Sequence, residues 1–280
     1  MKEWIELKVQ STNPEALFGI LYDFDCLGIT EEKNSYAAYF SEEKTNVNLL
    51  LTSLNNTLQN QVSLLGVKTI PEENWNIGWQ QYFSPQYIGK NLLITPPWIT
   101  IPEADKKRIV ITINPGMAFG TGMHTTTKIS LEFLEKYIQP HITHSVLDVG
   151  CGSGILSIAS RKLGARHVLG IDISTTALEA SWQNIASNDI DKVIISGEFI
   201  KNISETFDIV VSNMLLGEII EVKDELHKKV TRGGYLLLSG ILNEQENELK
   251  ACIHSDFRLI KKKQEGEWLG FIFKKKVREP

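Results

Sequence analysis

Three glycines at positions 150, 152 and 154, carboxylates at Asp148 and Asp172 and an asparagine at 213 are the residues of this sequence that could do chemistry together. Closely spaced glycines leave backbone bare, so that a ligand can lie against it. The stretch that follows them, Ile155 to Leu163, reads as a helix. Its N-terminus would offer unpaired N–H groups to a negative group. Asp172 stands roughly 20 residues beyond the first glycine, the spacing at which an acid after the next strand accepts from ribose hydroxyls. A ribose-containing cofactor is therefore the expected ligand. A nicotinamide fingerprint would read G-x-G-x-x-G. Here the third glycine comes one residue early, and Ile155 occupies its place.

The elements that must position these residues are legible around them. Val146, Leu147 and Val149 form a buried strand ahead of the glycines. The helix carries Ile155, Leu156, Ile158, Ala159 and Leu163, and Gly164 sits where a C′ glycine belongs. A second strand, Val168 to Ile173, carries Asp172 near its end. This is a nucleotide-binding βαβ unit.

The pattern Asp148-x-Gly150-x-Gly152-x-Gly154 resembles motif I of class I S-adenosylmethionine-dependent methyltransferases. Methyl transfer from a sulfonium is an in-line displacement that mainly requires positioning and exclusion of water. An amine acceptor must also be neutral, and a lysine of pKa ~10.4 starts mostly protonated where an α-amino group of ~7.7–8.0 does not. Polar acceptors are therefore needed near the methyl group. Asn213, expected at the C-terminal end of a core strand, is the candidate, because ligands bind there in open α/β sheets. His124 either faces the cofactor or caps its loop. His141-x-x-His144 lacks a third ligand, and no metal site is expected.

Before this region, residues 1–70 read as a small α+β domain of order β-α-β-β-α-β, a ferredoxin-like pattern. Asn13 and Pro14 begin its first helix as N-cap and N1. Leu50, Leu51, Leu54 and Leu58 give its second helix one apolar face. No catalytic constellation stands out in it. Residues 71–86 are expected to be a linker helix, with Trp75, Trp79, Tyr82 and Phe83 on one face. Strands at Leu92–Thr95 and Ile109–Ile113 lead into a polar loop, 114–127, that holds Met117 and Phe119. After Asp172, helices and strands alternate, among them a strand at Gly233–Leu238 and a helix at Asn243–His254, which indicates a parallel sheet covered on both faces. The final strands, Phe257–Lys262 and Trp268–Phe273, read as antiparallel, with the lysines at 261–263 and 274–276 as edge protection.

Composition sets bounds. The chain has 280 residues, 42% hydrophobic and 22% charged, an ordinary globular balance. No apolar run approaches the ~20 residues of a membrane span. Cys26, Cys151 and Cys252 make no C-x-x-C pair and no disulfide frame. The N-terminus has no signal-peptide core, and a cytoplasmic address is expected. The net charge of −5 argues against direct nucleic-acid binding and fits a basic partner.

Gly116-Met-Ala-Phe-Gly-Thr-Gly-Met-His-Thr-Thr-Thr127 is similar to the G-x-A-F-G-T-G-x-H-x-T-T segment of the ribosomal protein L-eleven methyltransferase family. The glycine motif, Asp172, Gly240-Ile-Leu242, Glu267-Trp268 and the tryptophans at 75 and 79 agree with it. The resemblance implies a Rossmann-like class I methyltransferase domain, 87–280, whose last strand is antiparallel, preceded by a substrate-recognition domain. It implies S-adenosylmethionine as cofactor, held by Thr127, Gly150, Gly152, Asp172 and Asn213, with Asn213 also acting in catalysis. It implies methylation of α-amino and lysine ε-amino groups on ribosomal protein L-eleven by a monomer. At 212–215 this chain reads Ser-Asn-Met-Leu where the family usually has Ala-Asn-Ile-Leu. Two other readings stay open: a class I methyltransferase acting on another amine or protein, and a non-catalytic cofactor-binding protein that docks on ribosomal components.

Overall fold

The computed structural model describes residues 3–32, 35–41, 45–71, 83–115 and 124–277. Trp75, Trp79 and Tyr82 of the expected linker, and Met117 and Phe119 of the polar loop, lie outside the described residues. The chain divides into two compact units, Met1–Phe83 and Ser84–Pro280.

The first unit runs β1 (Glu3–Ser11), α1 (Pro14–Asp23), β2 (Gly28–Glu32), β3 (Ser35–Ser41), α2 (Val47–Leu58) and β4 (Val62–Pro71). Its sheet has the order β2-β3-β1-β4, and every pair is antiparallel. Alternation on β1 turns Ile5, Leu7 and Val9 to one face. They pack with Leu17 and Leu21 of α1, Phe40 of β3, and Leu50, Leu54 and Leu58 of α2. Asn13 caps α1 by accepting from the Ala16 N–H at 3.3 Å, and Asn46 caps α2 through Leu49 at 3.2 Å. The edge strand β4 keeps Leu64, Leu65 and Val67 about half exposed, at 51%, 52% and 45%.

The second unit opens with β5 (Gln86–Ile88), β6 (Leu92–Thr95) and β7 (Ile109–Thr112), a separate small sheet in that order. Sequence patterning finds β6 and β7 but misses β5, which is only three residues long. Next come α3 (Thr125–Tyr137), β8 (Ser145–Val149), α4 (Ile155–Lys162), β9 (His167–Ile171), α5 (Thr175–Ala186) and β10 (Val193–Ser196). They are followed by β11 (Phe207–Asn213), α6 (Leu216–Lys229), β12 (Val230–Leu242), α7 (Glu246–Cys252), β13 (Phe257–Glu265) and β14 (Trp268–Lys275). These last seven strands form one sheet of order β10-β9-β8-β11-β12-β14-β13. The first five are mutually parallel, and β14 is antiparallel to both neighbours.

Successive residues feed opposite faces. Val146, Ile209, Val211 and Leu237 join the core under α3 and α4. Leu147, Val210, Leu236 and Leu238 join the core under α6. Burial on both faces explains why these strands read as continuous apolar runs. The chain steps outward to β9 and β10 on one side of β8 and to β12 on the other side of β11, so the crevice between β8 and β11 is the switch point of the sheet.

Three expectations are corrected. The threonines at 125–127 belong to the first turn of α3 and not to the loop, because His124 caps the helix there. Strand β12 is 13 residues long and runs well beyond Gly233–Leu238. The helix expected over Asn243–His254 is confined to Glu246–Cys252.

Each unit has its own apolar cluster, which sets a test. Phe40→Ala removes a fully buried ring from the first unit and should cost it about 3–5 kcal/mol. Calorimetry should then show one thermal transition moving down while a second stays in place. Equal displacement of both would mean that the two units unfold as one.

Candidate active site

The turn after β8 is built from backbone that side chains would obstruct. Gly150, Gly152 and Gly154 all have positive φ, at 73°, 54° and 78°. A Cβ on Gly150 would stand 2.6 Å from Met214 Sδ. The N–H groups of Gly150 and Cys151 both donate to the Ile171 carbonyl, at 2.9 and 3.0 Å, so the turn hangs from the end of β9. Asp172, one residue past β9, completes the join. Its Oδ2 accepts from Gly152 N at 2.9 Å and its Oδ1 from Ser174 N at 2.9 Å. An ionised carboxylate has about four acceptor positions, so two backbone bonds leave capacity for a ligand's hydroxyls.

Helix α5 and its C-terminal end support the turn from behind with polar side chains that sequence reading missed. Ser181 Oγ donates to Gly152 O at 2.7 Å, and Asn184 Nδ2 donates to Ser153 O at 2.9 Å. Asn184 Oδ1 also accepts from Asn114 N at 2.9 Å. Asn188 grips Thr112 from both sides, accepting from its N–H at 2.9 Å and donating to its carbonyl at 2.6 Å. Their spacing of three and four residues places them on one helical face, a signal that could have identified them had polar faces been scored like apolar ones.

Asn213 ends β11, and Thr127 lies in the first turn of α3. The fold brings them together: Asn213 Nδ2 donates to Thr127 Oγ1 at 3.3 Å. Asn213 Oδ1 accepts from Ser239 Oγ at 2.9 Å, and that hydroxyl lies 2.5 Å from Ser130 Oγ. The amide is thereby oriented while keeping one N–H and one acceptor position. Beside it Gly240, at φ 88°, comes so close to the Met214 backbone that no side chain fits.

His124 both caps α3 and lines the cavity. Its Nδ1 accepts from Thr126 N at 3.3 Å and contacts Thr126 Oγ1 at 2.7 Å, and its ring meets Trp268 edge-on at 5.1 Å. Burial lowers its pKa against the opposing pull of Glu267. With Nδ1 accepting, this network assigns the proton of the neutral ring to Nε2, so the imidazole is a donor there and not a base.

All five residues expected to hold a cofactor (Thr127, Gly150, Gly152, Asp172 and Asn213) line one cavity of about 610 Å³. Asp172, Glu198, Glu218 and Glu221 give its described lining four carboxylates and no lysine or arginine. Ile173, Phe199 and Leu215 stand exposed around it. Glu218 also accepts from Leu215 N at 3.0 Å, which fixes the start of α6. Cys151 lies in the wall, and burial pushes its thiol pKa up, so it is not a nucleophile.

The chain matches the family described as ribosomal protein L11 methyltransferase (PrmA) over residues 29–276. It is 32% identical over 310 residues to the ribosomal protein L11 methyltransferase of Caldanaerobacter subterraneus subsp. tengcongensis, with 98% of this chain and 99% of that one covered. It is 34% identical to the protein of that name from Carboxydothermus hydrogenoformans, over 91% of this chain and 84% of that one. Among solved structures it is similar to the ribosomal protein L11 methylase of Lactobacillus delbrueckii subsp. bulgaricus, with a TM-score of 0.65 and 29% identity over 70% of this chain and all of that one.

Asp148, fully buried at the end of β8, supplies a pH test. Its Oδ2 accepts from Ser157 Oγ at 2.7 Å, and its Oδ1 has no partner among the described residues. Burial pushes its pKa up to about 7, against the lowering effect of Ser157. The folded pKa lies above the unfolded value near ~4, so the contribution to stability is present below pH ~4 and is lost as pH rises toward ~7. Asp148→Asn should flatten this slope in urea melts run across that range. A slope unchanged in the variant would mean that another group titrates.

Proposed function

The chain belongs to the ribosomal protein L11 methyltransferase family, and on that premise we propose that it methylates α-amino and lysine ε-amino groups of ribosomal protein L11. The observation that carries this reading is the sign of the cavity: four carboxylates and no lysine or arginine among its described lining residues. Such a field concentrates cations, and a protonated acceptor amine is one.

S-adenosylmethionine fits the residues present, and it supplies a methyl group activated on a sulfonium. The bare turn at Gly150 gives it space that a Cβ would fill against Met214. Asp172 retains acceptor capacity for ribose hydroxyls beyond its bonds to Gly152 and Ser174. Asn213, held by Thr127 and Ser239, presents its remaining N–H and acceptor position in fixed orientation. We assign it the orienting of the acceptor amine, whose proton must leave before attack. His124, with Nδ1 engaged by Thr126, orients and does not deprotonate.

The described lining residues of this cavity all belong to the second unit. We assign the first unit the recognition of the substrate protein, a role supported by the exposed Leu64, Leu65 and Val67 on its edge strand. The enzyme is proposed to act as a cytoplasmic monomer, without direct nucleic-acid contact. Among the described residues no helix is long and apolar enough to cross a membrane.

Asp172→Ala should weaken S-adenosylmethionine binding by about one to two orders of magnitude, since a hydrogen bond to a charged group is worth roughly 1.5–3 kcal/mol. Calorimetry checks this, and an unchanged dissociation constant would remove Asp172 from the site. Asn213→Ala should lower kcat more than cofactor affinity. Transfer of labelled methyl groups into purified L11 decides the function itself. In that assay Leu65→Glu with Val67→Glu should raise KM for intact L11 about tenfold or more while cofactor affinity stays constant. Wild-type KM in the double variant would move recognition elsewhere.

A further inference from the structure

Sequence spacing gives no reason to expect a metal, yet the fold gathers a ligand set on the C-terminal half of α6, outside the cavity lining. Asp224 and His227, three residues apart, share a face of α6. His254, just beyond α7, comes to that face, and its Nε2 lies 3.0 Å from Asp224 Oδ1. The imidazole rings of His227 and His254 stand with centroids 3.9 Å apart. One potential ligand atom from each of the three residues lies within 4.8 Å of the other two.

A second observation comes from His227 itself. The residue is 2% exposed, and its Nδ1 has no hydrogen-bond partner among the described residues. A buried polar atom without a partner is costly, and native structures retain few without a reason. Asp224 and His254 are exposed, so their side chains have room to adjust around an ion. Asp256 adds negative charge beside the pair. The Lys275 ammonium is held on the carbonyls of His227 and Val230, at 2.8 and 2.9 Å, where it caps α6.

We propose that Asp224, His227 and His254 form a site for one zinc ion that fastens the C-terminal end of α6 to the segment between α7 and β13. Two imidazoles and a carboxylate suit zinc, and three protein ligands leave a fourth position for water. The first turns of α6 carry Glu218, Glu221 and Val222 of the cavity wall. Asp224 and His227 follow Val222 by two and five residues on the same helix, about 3 and 8 Å along its axis at 1.5 Å per residue. None of the three ligands lines the cavity, so methyl transfer does not require the ion.

The test uses the full chain without an affinity tag, stripped with a chelator and titrated with zinc chloride in a calorimeter. One equivalent should bind, and the thermal midpoint should rise with zinc concentration. Cobalt(II) in place of zinc should give the visible absorption of a four-coordinate site. His254→Ala and Asp224→Ala, both at exposed positions, should weaken zinc binding by at least about 10–100-fold, the loss already expected of a residue that only supports a ligand. His141→Ala should bind like the wild type. Absence of stoichiometric binding, or wild-type affinity in both ligand variants, would overturn the proposal.

Discussion

The hydrogen bond from Gly152 N to Asp172 Oδ2 is the contact on which the site depends. It joins the turn after β8 to the residue just past β9, and the second oxygen of the same carboxylate fixes Ser174 at the start of α5. One side chain thus holds three pieces of backbone that must be in register before any ligand arrives. The Ile171 carbonyl adds two more bonds to the same turn. A glycine-rich turn is entropically expensive to order. Tying it to a parallel strand end on one side and to Ser181 and Asn184 on the other meets that cost during folding, so binding need not.

Helix α5 and its C-terminal end do a second job with the same face. Asn184 reaches Asn114 while it holds Ser153, and Asn188 takes both backbone groups of Thr112. Strand β7 and the start of the following segment are therefore anchored to the helix that braces the glycine turn. These buried amides work because their partners are backbone groups with nowhere else to bond. An apolar residue at 184 would leave Asn114 N and Ser153 O without those bonds, a larger loss than the amide's own contribution.

The βαβ unit and its acid were legible because they depend on local signals: glycines, a run of branched apolar residues, a helix stop. The alternation of later helices and strands was legible for the same reason. What escaped reading depends on distance in sequence. Asn213 stood out as a strand-end asparagine, but its partners Ser239 and Ser130 lie on β12 and α3 and leave no local trace. For His124 the sequence leaves two roles open, and the fold sets its residue in the cavity lining while its Nδ1 caps α3. Lys275 falls among lysines that pattern as edge protection, and it serves instead as a cap on the carbonyls at the end of α6. The cluster of Asp224, His227 and His254 was invisible because its third member arrives through α7.

The charge of the cavity bears on how one centre could serve amines of different basicity. Carboxylates at 172, 198, 218 and 221 favour an incoming ammonium over its neutral form, whether it belongs to a chain terminus or to a lysine. They would raise both pKa values together, so the intrinsic gap of roughly 2–3 units between α-amino and lysine groups persists at the site. His124 cannot close that gap by taking the proton, because its Nδ1 is engaged and its pKa is lowered by burial. Selection among amines therefore falls to whatever holds the acceptor in place long enough for its minor neutral form to react. Binding energy from parts of the substrate remote from the reacting nitrogen can do this. On the proposed reading that energy comes from the first unit, which has its own core and exposes Leu64, Leu65 and Val67 on its edge strand.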